Sequence, residues 1–422
     1  MRPAHLAACA LAFTLPALTP AKAEIDRSAI VANYADIAAA GYADSLTGAK
    51  ALSAAVDAFL AAPSEDTLAA ARTAWRAART PYMQTEVFRF GNPIVDDWEG
   101  RVNAWPLDEG LIDYVAPGYF GAEENTVAEL NVVATPKFTL SGQQVDASRI
   151  TPALLSDVLQ EADGNEANVA TGYHAIEFLL WGQDLTSDKP VAGQRPYTDY
   201  LQGDGCTHGN CDRRAAYLKT ATDLLVSDLS WMTAQWTQDG PARTRLMADP
   251  DAGIAAILTG MGSLSYGELA GQRVKLGLML HDPEEEHDCF SDNTPESHHD
   301  DVLGVQNVYL GRYTRTDGSV VSGPSLSALV AAADPDLDAA LKGQLTASLA
   351  ATQALRDASA RGMHYDMMLQ VGNDAGGKLI MALVDTLVAQ SRSIERVSTA
   401  LHLSGVNVAG DDSLNAPGEV FK

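Results

Sequence analysis

Along most of this chain apolar residues recur every three or four positions in an Ala-rich background, the period of an amphipathic helix. Leu52 to Phe59 and Leu68 to Arg79 show it first, and Pro63-Ser64-Glu65-Asp66 marks a break and a cap between them. The period returns in Ala167 to Leu180, Arg214 to Trp236, Ile254 to Leu280, Asp336 to Ala360 and Gly376 to Leu403. Asp334-Pro335 reads as a helix start, a cap residue followed by Pro at the first helical position. Two stretches interrupt the pattern. Phe88 to Leu155 carries Gly91-Asn92-Pro93, Trp105-Pro106, Pro117-Gly118 and Thr135-Pro136. That composition predicts loop and short helix, long enough to be functional. Asp282 to Ser327 is the second irregular stretch. The economical architecture is all-α: two antiparallel helical-bundle domains with long irregular inserts. A boundary near Gln238-Asp239-Gly240-Pro241 gives an N-terminal helical domain over 24–240 and a C-terminal one over 241–422.

The first 23 residues stand apart. Arg2 precedes an apolar run from Leu6 to Phe13, and Ala21-Lys22-Ala23 is an A-x-A cleavage pattern. This predicts a secretory signal peptide. The apolar run is shorter than the ~20 residues of a membrane span. No later stretch is long enough, so no transmembrane segment is expected in the mature chain. Leu6-Ala7-Ala8-Cys9 is similar to a lipoprotein cleavage box, but it lies too early, with almost no apolar region before it.

Charge and cysteines narrow the picture. The 422 residues carry 55 acidic and 29 basic side chains, a net charge of -26. Cleavage would remove Arg2 and Lys22 and no acid, deepening the imbalance to -28. A nucleic-acid partner is disfavoured, because a phosphate backbone needs a basic footprint. An acidic surface suits solubility and the attraction of cations. The 46% hydrophobic content supports a sizeable core and excludes wholesale disorder. Cys206, Cys211 and Cys289 remain in the mature chain. In an oxidising compartment Cys206 and Cys211 could close a small loop, or Cys289 could pair with one of them. One structural disulfide is expected.

The most informative segment is Gly172-Tyr173-His174-Ala175-Ile176-Glu177-Phe178-Leu179-Leu180-Trp181-Gly182. His174 and Glu177 are three apart and share one helix face, half of a metal site. The helix around them is apolar nearly all round, so it should be buried. A buried Glu is costly unless paired or ligated. The plain alternative is a His174–Glu177 hydrogen bond in a satisfied core. The second His of the HExxH zinc-protease helix is missing. No G-x-S-x-G elbow, phosphate loop or haem C-x-x-C-H occurs.

Gly172-x-His174-x-x-Glu177 followed by Phe-Leu-Leu-Trp-Gly resembles the signature of the imelysin family, including its iron-regulated protein A branch. Other stretches fit in order. They are Trp75-Arg76-Ala77-Ala78-Arg79, Glu86 to Gly91, Asn103 to Asp108, Cys211 to Arg214, Gly267 to Arg273 and Glu284 to Thr294. The resemblance spans nearly the whole mature chain. It implies an all-helical fold of two bundle-like domains, export to the periplasm or outer cell surface of a bacterium, and a link to iron acquisition. Founding members were called metallopeptidases, with the GxHxxE segment as proposed metal site. Glu177 would then be the catalytic carboxylate, although the catalytic signature here is incomplete. The implied partners are a metal ion and other cell-envelope iron-uptake components.

Further ligands must come from elsewhere in the chain. Glu86 could complete the shell if the insert folds over His174; otherwise Glu86 and Arg89 pair on a solvated helix face. Asp108 follows Trp105-Pro106 in a loop where carboxylates are easily exposed. Glu268 and Arg273 lie in a Gly-flanked helix, as site members or as a buried salt bridge. His281 to Asp301 holds four of the nine histidines and nine acids. It could bind metal or simply be a solvated acidic loop. Glu286 and His287 rank first there, because they fall in the family-like EEEHDCF segment. His298 and His299 read as incidental, and His364 and His402 as structural. The metal candidates are therefore His174, Glu177, Glu86, Glu268 and His287, flanked by Arg89, Asp108, Arg273 and Glu286. Imidazole plus carboxylate suits iron, divalent or trivalent, and also zinc or copper.

Overall fold

A computed structural model describes residues 25–119, 121 and 125–421. The expected signal peptide and Cys9 lie outside the described residues. The fold is all-α apart from two short antiparallel hairpins, Lys137–Leu140 with Gln143–Asp146 and Arg312–Thr314 with Val320–Ser322.

Helix Arg27–Ala61 packs along Glu65–Met83 and along Cys211–Gln235. Their apolar faces bury Phe59, Trp75, Leu225 and Trp236, and Tyr42 stacks on Trp236 with ring centroids 6.2 Å apart. The expected break is a reciprocal cap. Ser64 Oγ accepts from the Thr67 backbone N–H (3.2 Å), and Thr67 Oγ1 accepts from that of Ser64 (3.0 Å). Ser64→Ala should therefore cost about 1 kcal/mol in denaturant unfolding. Asp334 caps Pro335–Ala360 as its sequence signals. That helix pairs with Asp374–Ala400 around a smaller core of Leu355, Ile380, Leu383 and Leu387. The larger core includes Ile254, Leu258, Ile394 and Val397, so it draws on both sides of Gly240.

Two sequence expectations are corrected locally. Residues 167–171 are not helical; the helix begins at Gly172. The stretch from Asp282 to Ser327 contains a 17-residue helix, Thr294–Leu310. Its polar start hid an apolar period through Val302, Val305, Val308 and Tyr309, all buried. Helix Pro250–Ser263 continues as a π-wound stretch, Leu264–Leu276, which carries Glu268 and Arg273. Such widened turns re-aim side chains.

The long insert is pinned by charge. Asp113 accepts from Arg195 (2.7 Å) and from Nε (2.5 Å) and Nη2 (3.0 Å) of Arg214, all buried. Burial opposes its charge, but Arg195 and Arg214 hold Asp113 below the usual carboxylate range. The Cys206–Cys211 disulfide closes the turn before Cys211–Gln235, and Cys289 is free.

Candidate metal centre

His174 and Glu177 sit on the helix Gly172–Trp181, every residue of which is buried. Gly172 opens it at φ +80°, and any Cβ there would strike Val102. The Tyr173 N–H donates to the Val102 carbonyl (2.8 Å), so the glycine lets the helix start close against the insert. His174 Nδ1 lies 3.1 Å from Glu177 Oε2, and Glu177 Oε1 accepts from the Ser291 backbone N–H (2.9 Å). Both oxygens of Glu177 are thus engaged. The free nitrogen of His174 is Nε2, which is buried without a hydrogen-bond partner.

The segment from Glu286 to Asn293 crosses this helix and brings His287 and Asp288 to His174. The ring centroids of His174 and His287 lie 4.8 Å apart. His174, His287 and Asp288 each offer one ligating atom, all within 4.8 Å of one another. His287 Nε2 is also buried without a partner. Asp288 Oδ1 accepts from Arg79 Nη2 (2.5 Å), and Oδ2 accepts from Asn293 Nδ2 (2.9 Å) and from the Ser297 hydroxyl. Arg79 is itself fully enclosed. It donates to Asn103 Oδ1 (2.5 Å) and lies over the Tyr173 ring, 5.1 Å from its centroid.

The electrostatics keep the imidazoles neutral. Burial, then the charge of Arg79, pushes His174 down to about 3. Burial, then Arg273 and His174, pushes His287 well below its ordinary value. Burial works against the charge of Asp288, but Arg79, His174 and the Ser297 and Asn293 side chains hold it at about 2. Glu177 is pushed well up by burial and by Asp288. Two neutral imidazoles beside an ionised carboxylate are the donor set of a borderline cation. Unpartnered ring nitrogens are what such an ion would satisfy.

His174 also lines a cavity of about 470 Å3, with Trp105, Asp108, Glu109, Glu284 and Cys289 on its walls. Asp108 is buried and accepts from Tyr119 Oη (3.1 Å) and from Asn125. It faces the cavity, as a site neighbour would.

The Imelysin family model matches residues 38–394. The chain belongs to the imelysin family. This imelysin is 25% identical over 301 residues to iron-regulated protein A of Synechococcus elongatus. That match covers 68% of the chain and spans 63% of the relative's length. Two solved structures share the fold. One, from Parabacteroides distasonis, is assigned as an iron-regulated protein A precursor. It has a TM-score of 0.64 at 20% identity and covers 92% of this chain and 98% of its own. The other, an imelysin-like protein from Psychrobacter arcticum, has a TM-score of 0.55 at 15% identity, covering 90% and 98%.

Within this imelysin the structure divides the sequence candidates. His174, Glu177 and His287 come together. Glu86 and Glu268 gather instead around Arg273, as acceptors at 2.8 Å and 2.7 Å, with Asp301 on its other side at 3.2 Å. Arg89 bridges Asp96 (3.0 Å), Glu268 (3.3 Å) and Glu99 (3.4 Å). Burial, against the pull of Arg89, pushes Glu99 up to about 7. The solvated Glu86–Arg89 pair is thus corrected: Glu86 is buried and bonds to a residue 187 positions away. Glu286 is buried, and its carbonyl accepts from Trp105 Nε1 (3.2 Å). The solvated-loop reading fails for Glu286 to Asp288, all of them enclosed.

Sequence reasoning passed over three kinds of residue. Asp288 was one acid among nine, although it directly follows His287. His298 is not incidental: it is fully buried, its ring stacked 6.4 Å from that of His287. His364, read as structural, has its Nδ1 2.6 Å from Asp292 Oδ2.

Proposed function

We propose that this imelysin is an exported cation-binding protein of iron acquisition that holds its ion at His174, His287 and Asp288. The observation that carries this reading is the convergence of these three buried groups, with both Nε2 atoms lacking a partner. Its affiliation with iron rests on the name of the Synechococcus elongatus relative. The acidic cavity beside His174 gives a cation a route of approach. A bound ion would supply positive charge and Lewis acidity to whatever reaches the cavity. Iron fits the imidazole and carboxylate donors, as zinc and copper do. Glu177 orients His174 instead of adding a fourth ligand. Arg79 holds Asp288 in place.

Elemental analysis of purified protein tests the reading. The cluster of two imidazoles and a carboxylate should hold about one equivalent of iron, zinc or copper per chain. His174→Ala combined with His287→Ala should lose it. Metal content unchanged in that double variant would overturn the assignment.

The cavity also favours a second reading, a metal-dependent peptidase, because a peptide side chain could enter it. Glu177 is poorly placed as the base, with both oxygens engaged. Glu109 or Glu284 would have to serve from the cavity wall. The binding reading expects no chelator-sensitive hydrolysis of casein by highly purified protein. Hydrolysis that chelator and His174→Ala both abolish would establish the peptidase.

A further inference from the structure

Beyond the His174 centre, three chain segments converge on a second group of acids. Asp292 lies in the turn before Thr294–Leu310, Glu286 in the turn before His287, and Asp366 in the short helix Tyr365–Leu369. His364, just ahead of that short helix, holds Asp292 at 2.6 Å. Asp292, His364 and Asp366 each offer a ligating atom, all within 4.8 Å of one another. Asp366 and Glu286 also line a narrow hole of about 10 Å3, together with Asp184, Glu284 and Cys289, while Asp292 lies beside Asp366 outside its lining. That is room for about one water-sized particle.

What marks this hole is charge without a partner. Asp366 is 3% exposed and Glu286 0%. Neither oxygen of either carboxylate has a hydrogen-bond partner, and Asp292 Oδ1 lacks one as well. Thr294 lies close enough to ease the Glu286 charge slightly, and the Met367 backbone does the same for Asp366. Among the described residues no Lys or Arg forms an ion pair with Asp184, Glu286, Asp292 or Asp366; His364 is the one basic partner, to Asp292. Buried carboxylates left side by side without donors are costly. A cation in the hole would neutralise them.

We propose that Asp292, Asp366 and Glu286 form a second cation site, separate from the His174 centre, for a small hard divalent ion of the Mn2+ class. The donors are carboxylate oxygens, which suit such ions better than they suit copper or zinc. His364 fixes Asp292 from the outer side. The two sites share no ligand, yet Glu286 immediately precedes His287, so one turn of chain serves both. Glu284 and Cys289 line both the hole and the larger cavity, so an ion reaching the cavity comes within one wall of the hole.

Calorimetric titration of chelator-stripped full chain with Mn2+ tests the proposal. The His174→Ala, His287→Ala double variant should still take up one equivalent. Asp366→Asn and Glu286→Gln should each lose that equivalent in the otherwise unaltered chain. Asp366→Asn should also raise Tm without metal, because it removes a repelling charge, and Mn2+ should no longer raise it further. Should Asp366→Asn fail to fold, Glu286→Gln reads the same arm. Mn2+ uptake unchanged in both carboxamide variants overturns the site, leaving protonated acids or a buried water there. Loss of all Mn2+ in the His double variant overturns it too, by showing a single centre. Neither result bears on whether the His174 centre binds iron, which elemental analysis reads separately.

Discussion

Arg79→Ala should remove about 3–5 kcal/mol of stability, and added metal should return part of it. Among the described residues Arg79 is the only guanidinium bonded to Asp288, at 2.5 Å, and both side chains are fully enclosed. Without it Asp288 keeps Asn293 and Ser297 but no bonded guanidinium, with Arg76 acting only at longer range. A buried carboxylate stripped of its partner is among the largest single-residue losses a core can suffer. If Asp288 ligates a cation, the ion supplies the missing charge. Zn2+ or Fe2+ should then raise Tm more in Arg79→Ala than in the parent, since a ligand bound only to the native state stabilises it. Arg79→Lys should lie between the two, keeping the charge while losing the fork that also grips Asn103. Thermal unfolding with and without chelator measures both effects. An equal metal-induced rise in parent and variant would remove Asp288 from the ligand set and leave Arg79–Asp288 as a structural pair.

That pair also shows where the sequence stops being readable. Local signals held at several helix ends and faces, though not at residues 167–171. Ser64 caps, Asp334-Pro335 starts a helix, and the apolar run around His174 is buried. The His174–Glu177 face was legible because three-residue spacing is itself a geometry. Glu177's part was not, because its other oxygen is met by Ser291, 114 residues away. Asp288 gains its place from Arg79 at a separation of 209, and Glu86 loses its expected place to Arg273 at 187. No periodicity carries such information. The helix Thr294–Leu310 was hidden for a related reason. Its buried polar side chains, His298 and Asp301 among them, serve the interior and look like surface in the sequence. An acidic composition concealed the same thing on a larger scale. Glu286, Asp288, Asp300 and Asp301 are buried, so part of the acid between Asp282 and Asp301 belongs to the interior and not to the surface.

Glu177→Gln should weaken cation binding about 10–100-fold, the usual loss when the group behind a ligating His is changed. The reason is a count of donors. Glu177 faces two, the Ser291 backbone N–H at 2.9 Å and His174 Nδ1 at 3.1 Å, and a carboxylate accepts from both. An amide has one oxygen. If that oxygen takes Ser291, the NH2 group faces Nδ1, which must then accept. The ring proton moves to Nε2 and blocks the nitrogen that has no other partner. If the oxygen takes His174, two N–H groups confront each other at Ser291, in a site with no exposure. That costs about 1–3 kcal/mol. Either way affinity and stability do not both survive. Titration of Glu177→Gln with Zn2+, beside its unfolding curve, separates the branches: weak binding with near-parental Tm is the tautomer switch, and parental affinity with lowered Tm is the donor clash. Both parental would mean that His174 does not bind through Nε2. Glu177→Asp should retain the acceptor count and lose reach, so its affinity should fall between parent and Gln. That ordering is expected only if the carboxylate acts through His174.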